Sequence, residues 1–237
     1  MSGWKPKRFW QAVTVQPCDG GFTVLLDARQ AKTPGKLPLV VPTEGLARAL
    51  AAEWDAQAGP VNPETMPFTR AANSAMEKVA PQFAEVVGLL AAYGGTDLLC
   101  YRATGPAELI ARQAAGWDPL LAWAATTLDA PLTVTSGVVP VTQPAASTRT
   151  LHDLTAALTP FQIAAFHDLV ALSGSLILAF AVTHGRLMPA AAWDLSRIDE
   201  HWQAEQWGID DDAAALATRK RRDFQQAAAF WALCSPL

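Results

Sequence analysis

The hydrophobic period of this chain changes near Met66, and that change constrains the fold more than any single motif does. Upstream of it, short apolar runs alternate with turn residues. Val13 to Val15 lead into Pro17-Cys18-Asp19-Gly20-Gly21, and Phe22 to Leu26 then return, which predicts a β-hairpin. Leu37 to Val41, bounded by prolines, is a third strand candidate. Thr43 is placed to cap a helix whose apolar positions Leu46, Leu50 and Trp54 recur every four residues. Gly59-Pro60 and Asn62-Pro63 then mark a loop. Downstream the period is helical: Ala72, Met76 and Val79 make one stripe, and Phe83, Val86, Val87 and Leu90 make another before Gly94-Gly95. Strands first and helices after, without alternation, predict an α+β chain. Its expected organisation is a β-rich N-terminal domain with one packed helix, residues 1–66, and a mainly α-helical C-terminal domain, residues 67–237.

Within the helical part, Asp97 to Arg102 is too short to assign, and Leu109 to Trp117 reads as helix. Asp118-Pro119 reads as a cap with a first-turn proline that restarts the helix. Leu132 to Val141 is β-branched and interrupted by Gly137 and Pro140, an extended excursion whose pairing partner the sequence leaves open. A further helix is expected at Leu151 to Leu158. Thr159-Pro160 opens a long apolar helix to about His184, with Ser173-Gly174-Ser175 inside it as small residues for close packing. Its run from Leu169 to Val182 carries no charge for fourteen residues. A bilayer span needs about 20, so the run belongs in a protein core.

Hydrophobic residues make up 51% of the 237 and charged residues 17%, the composition of a compact globule and not of a disordered chain. A net charge of −4 supplies no general attraction to nucleic acid or anionic lipid. The basic run Arg219-Lys220-Arg221-Arg222 is local and reads as a solvated helix face. Cys18, Cys100 and Cys234 are odd in number, widely spaced and free of C-x-x-C pairing. Together with an opening M-S-G-W-K-P-K-R-F-W that lacks a secretory core, they suggest free thiols in a reducing compartment.

The familiar catalytic and nucleotide-binding patterns are absent. The chain has no G-x-x-x-x-G-K-[ST] loop, no G-x-G-x-x-G turn, no H-E-x-x-H and no G-x-S-x-G elbow. The four histidines, His152, His167, His184 and His201, are too scattered to suggest a metal site, and no cofactor is implied. The stretch Trp193 to Asp212 is of more interest. Leu195, Ile198 and Trp202 share one helical face, Asp199, Glu200 and Gln203 flank it, and Pro189 suits a first helical position. Trp207-Gly208 reads as a helix end, with Asp210, Asp211 and Asp212 in the first turn of the next helix, where carboxylates complement the dipole. Such an indole-and-carboxylate segment is a solvated face, a surface for grasping another protein, or a carboxylate pair for catalysis. Elsewhere Arg70 and Asn73 read as capping or bridging groups, and Trp54 as an indole buried between strands and helices, with Glu53 meeting that indole or solvent.

Ordered blocks along the chain carry a family resemblance. R-F-W-Q-A-V-T-V at Arg8 is followed by G-G-F-T-V-L-L-D, A-K-T-P and V-P-T-E-G-L-A-R-A-L-A-A-E-W-D-A-Q at Val41. Then come M-P-F-T-R-A-A-N at Met66, D-L-L-C-Y-R-A at Asp97, R-Q-A-A-G-W-D-P-L-L-A-W at Arg112 and D-E-H-W-Q-A-E-Q-W-G-I-D-D-D at Asp199. From about residue 8 to residue 231 this resembles the ATP synthase assembly chaperones that handle the alpha subunit of the catalytic head, the "Atp-twelve" family. The resemblance implies a β-rich domain followed by a helical one, no catalysis and no nucleotide of its own. It implies transient binding of the unassembled alpha subunit, shielding the surface that the beta subunit later takes. Family members are mitochondrial in eukaryotes; this chain, with no presequence, is expected in a bacterial cytoplasm and monomeric when free. On that footing Asp199 and Glu200 are expected to make polar contacts with the client, with Gln203 beside them. Trp207 would anchor, and Asp210 and Asp211 would supply electrostatic complementarity. Two rival expectations stand beside it: an enzyme using Glu200 within a closed cleft, or a permanent structural subunit of a complex.

Overall fold

The computed structural model describes residues 7–235, so the opening residues on which the absence of a leader was argued lie mostly outside it. The chain divides into two compact units. The first comprises the described residues of Met1–Gln82, Pro160–Ala165 and Ala229–Leu237; the second comprises Phe83–Thr159 and Phe166–Ala228.

In the first unit the expected hairpin is β1 (Val13–Cys18) with β2 (Gly21–Leu26), antiparallel from Val13 opposite Leu26 to Cys18 opposite Gly21. That register leaves Asp19-Gly20 as a two-residue turn, and both glycines have positive φ, +83° at Gly20 and +143° at Gly21. A Cβ on Gly21 would collide with the Val41 carbonyl, so the close approach of the chain after the turn requires glycine there. On its other edge β2 pairs with two short strands, β3 (Arg29–Gln30) and β4 (Val40–Val41). α1 (Glu44–Asp55) begins where Thr43 Oγ1 accepts the Leu46 N–H at 3.1 Å, as its sequence predicts. Val24, Leu26, Leu39, Val41, Leu46 and Leu50 close the core beneath α1. The core also takes Met66 and, further along, Ala72, with Phe68 and Met76 against it. It is completed from far along the chain by Ala165, Phe230 and Cys234.

α2 (Pro67–Ser74) runs into a π turn at Ala75–Val79 and a 3₁₀ turn before α3 (Phe83–Ala91). The helical stretch Pro67–Cys100 is long and apolar enough to cross a membrane, but charged Arg70, Glu77, Lys78 and Glu85 punctuate it.

The second unit is helical apart from one short pairing. β5 (Tyr101–Arg102) lies parallel to β6 (Thr135–Ser136), so the extended excursion pairs inside the helical part of the chain. α4 (Ala107–Thr127) is continuous, which corrects the expected restart at Asp118-Pro119. Pro119 sits inside the helix, and the Asp118 carboxylate, instead of capping, takes the Arg102 guanidinium at 2.7 Å. α5 (Ala145–Ala156) follows.

The expected single helix from Pro160 to His184 is two, α6 (Pro160–Ser173) and α7 (Leu176–Thr183). The cause is a buried carboxylate. Asp97, fully buried, accepts hydrogen bonds from Ser175 Oγ at 2.8 Å, Ile177 N–H at 3.0 Å and Leu99 N–H at 3.0 Å. It therefore occupies the N-terminus of α7, which Ser175 also caps through Leu178 N–H. Gly174 makes the break with φ +73°. The fold class is α+β, as the change of period predicts, with strands confined to the N-terminal part save for the β5–β6 pair.

Candidate partner-binding face

The stretch expected as one helix from Trp193 to Trp207 is also broken. α8 (Pro189–Ser196) starts on Pro189 and ends at Arg197, whose φ of −116° and ψ of 18° leave the helical region; α9 (Ile198–Trp207) restarts at once. Ser196 Oγ satisfies the Trp193 carbonyl at 2.7 Å within that last turn. α9 ends at Gly208 with φ +90°, and α10 (Asp211–Leu233) begins three residues later. Asp210 caps α10, its carboxylate accepting from Asp212 N–H at 2.9 Å and Ala213 N–H at 3.1 Å.

The inner face of α9 rests on α4. Ile198 and Leu195 meet α4 at Gly116, where a Cβ would come within 2.9 Å of both side chains. Trp117 Nε1 donates to the Leu195 carbonyl at 2.9 Å. Arg112 grips Glu205 with two nitrogens, at 2.8 and 2.9 Å, and lies over the Trp202 ring at 5.0 Å. Each partner favours the other's charged form: the Glu205 bond raises Arg112, and the Arg112 bond holds Glu205 below the usual carboxylate range.

These contacts sort the expected site residues. Asp199 is half-buried and bound at 2.6 Å by Nε2 of Gln113, whose Oε1 accepts the Ala103 N–H at 2.8 Å. Its carboxylate is thus committed inward. Glu200 is exposed and paired with Arg197 one turn back, on the surface and not within a closed cleft. Gln203, Asp210 and Asp211 are exposed, and Trp207 is 79% exposed. Ile209 at 75% extends that apolar patch, and its position right after the Gly208 break is the sequence signal for it. The Arg112 clasp was not readable, since its partner is 93 residues away.

Of the residues expected to act structurally, Trp54 packs against the first unit's core and edge-on to Trp10 at 5.3 Å. Glu53 does neither thing expected of it: its two oxygens accept the Phe68 and Thr69 N–H groups at 2.7 Å each, capping α2. Burial raises its pKa, and these bonds together with the charge of exposed Arg70 pull the other way. Asn73 is half-buried in α2, its Oδ1 shut from solvent. Among the described residues no group of three or more His, Cys, Asp or Glu side chains is placed to hold a metal ion.

The family model for the ATP12 chaperone protein matches residues 7–125. A solved structure of Atp12 from Paracoccus denitrificans is 51% identical and superposes with a TM-score of 0.95 over 97% of this chain and 98% of that one. The chain belongs to the ATP12 chaperone family. An aspartate-to-lysine variant of the Paracoccus Atp12 matches equally well, with the same identity and TM-score. The mitochondrial protein atp12 of Schizosaccharomyces pombe is 26% identical over 219 residues, covering 87% of this chain and 75% of that protein. As an ATP12 chaperone, the chain has its α+β fold in common with the Paracoccus protein over nearly its whole length.

Proposed function

We propose that this ATP12-family chaperone binds the unassembled alpha subunit of the ATP synthase catalytic head and covers its beta-binding surface until the hexamer forms. It makes or breaks no covalent bond. The observation that carries the reading is the ridge where α9 meets α10: Trp207 and Ile209 stand 79% and 75% exposed beside Glu200, Gln203, Asp210 and Asp211. An unassembled ring subunit displays a partly apolar interface prone to self-association. A reversible cover for it needs aromatic anchors within a charged rim, because aromatics supply most of the binding energy while rim charges steer encounter and reject wrong partners.

In this scheme Trp207 is the anchor, Glu200 and Gln203 make polar contacts, and Asp210 and Asp211 supply negative field. Asp199, held by Gln113, contributes by fixing the face of α9 from which Glu200 and Gln203 project. The free protein is a monomer in the cytoplasm, a placement supported by three free thiols, two of them buried. The test is retention of a soluble alpha subunit by the tagged protein. Glu200→Lys and Trp207→Ala should each keep the wild-type circular dichroism and melting temperature yet lose client at least about tenfold, the size expected of an interface hot spot. Wild-type retention by both variants would place the binding surface elsewhere.

A further inference from the structure

The basic run Arg219–Arg222 has no place in the scheme so far, yet it lies on an unusual half-helix. From residue 211 to residue 222 every side chain of α10 is exposed; the first buried one is Phe224. A helical segment of about this length is marginal without packing, and most helices are held by burying an apolar face. This one buries none, although it carries Ala213, Ala214, Ala215, Ala217 and Leu216, the last 44% exposed. Its charges are ordered along the axis. Asp212, Leu216 and Arg219 fall at i, i+4 and i+7, so they line one face as anion, apolar group and cation, the two charges about 10 Å apart. Among the described residues neither Asp212 nor Arg219 is in ion-pair contact with an opposite charge.

We propose that this stripe docks a helix of the client laid antiparallel to α10, with a cation opposite Asp212, an apolar side chain on Leu216 and an anion opposite Arg219. The inference rests on the chaperone reading above and extends its surface from the ridge down α10. An antiparallel helix is the natural complement, because helices gather acids in the first turn and bases in the last, the reverse order when the direction is reversed. A second copy of this chain would match the stripe in the same way. Twelve residues of helix span only about 18 Å, however, and a pair that short buries far less than the roughly 1,200 Å² of a stable interface. The client already engaged at Trp207 supplies the missing area, so it is the occupant.

The experiment compares binding of the purified alpha subunit by wild type, Asp212→Arg, Arg219→Asp and the double variant D212R/R219D, with Trp207→Ala alongside and far-ultraviolet circular dichroism to verify helix content. Each single reversal should weaken binding by roughly tenfold, since it sets like charges opposite one another. The double variant restores the net charge but inverts the order, so ordered docking makes it the weakest of the set. Wild-type affinity in the double variant would reduce the charges to general steering and overturn the proposal. Loss of client in Trp207→Ala with no effect of any α10 variant would overturn it while leaving the chaperone reading intact. If no variant, Trp207→Ala included, differs from wild type, the chaperone surface itself falls and the stripe with it. A wild-type dimer in sedimentation that Arg219→Asp dissociates, with client binding unchanged, would make the occupant a second copy and also overturn it.

Discussion

Asp97 is the residue whose environment departs furthest from what its neighbours in sequence suggest. Its carboxylate is fully buried, and loss of hydration pushes its pKa up to about 6 in spite of the hydrogen bonds from Ile177, Leu99 and Ser175. The folded state therefore binds a proton at a pH where the unfolded state, with an ordinary carboxylate pKa near 4, does not. The sign follows: this group's contribution to stability is full below about pH 4 and is lost as pH rises through about 6, a change of about 2 to 3 kcal/mol. In Asp97→Asn that slope should vanish, while overall stability drops by about 1 to 3 kcal/mol because the amide turns a donor toward donors. The melting-temperature difference between wild type and variant, followed from pH 7.5 to pH 5, checks both; a constant difference would show that Asp97 does not titrate there. None of this was legible in D-L-L-C-Y-R, because Ser175 and Ile177 come 78 and 80 residues later. The caps made by local groups were legible: Thr43 and Pro189 act where a sequence reader would put them.

Among the elements, the breaks separate what pattern can reveal from what packing decides. In the sequence Pro119 reads as an interruption and Gly174 as a small residue packed inside a helix, yet α4 runs through the one and the α6–α7 path stops at the other. A proline forfeits one backbone bond, which a long helix anchored by Leu109, Trp117, Leu120 and Ala124 tolerates. Gly174 is different, since its φ of +73° lies where only glycine is comfortable and Asp97 waits to receive the next helix. Pro119→Ala should therefore stabilise the protein by about 1 to 2 kcal/mol, helix propensity outweighing the looser unfolded chain. Gly174→Ala should cost about 1 to 2 kcal/mol through backbone strain alone, since an added Cβ would meet nothing nearer than the Leu98 Cβ at 3.9 Å. Urea titrations of the two variants give the signs directly, and a stabilising Gly174→Ala would contradict the strain. Helix and strand identity followed from periodicity, which passed over the breaks at Gly174 and Arg197; the first follows from the distant Asp97 carboxylate that receives α7.

For the whole molecule, the change of period near Met66 was enough to assign strands before helices, and the ordered sequence blocks were enough to place the chain in its family. What the pattern left out is the return of the chain: Ala165, Phe230 and Cys234 complete a core that begins at Trp10. Contacts such as that of Thr43 with Leu233, 190 residues apart, leave no local periodicity to read. The acidic ridge shows the same limit, for its composition was plain while the burial of Asp199 against Gln113 was not. The central claim is that the molecule holds an alpha subunit only until its partner arrives. Co-expression with the alpha subunit, first alone and then with the beta subunit added, measures that directly. The alpha subunit should be soluble and co-purify with this protein in the first case, and should leave it for an alpha–beta hexamer in the second. An alpha subunit that precipitates regardless, or a complex that retains this protein after the hexamer forms, would contradict the account.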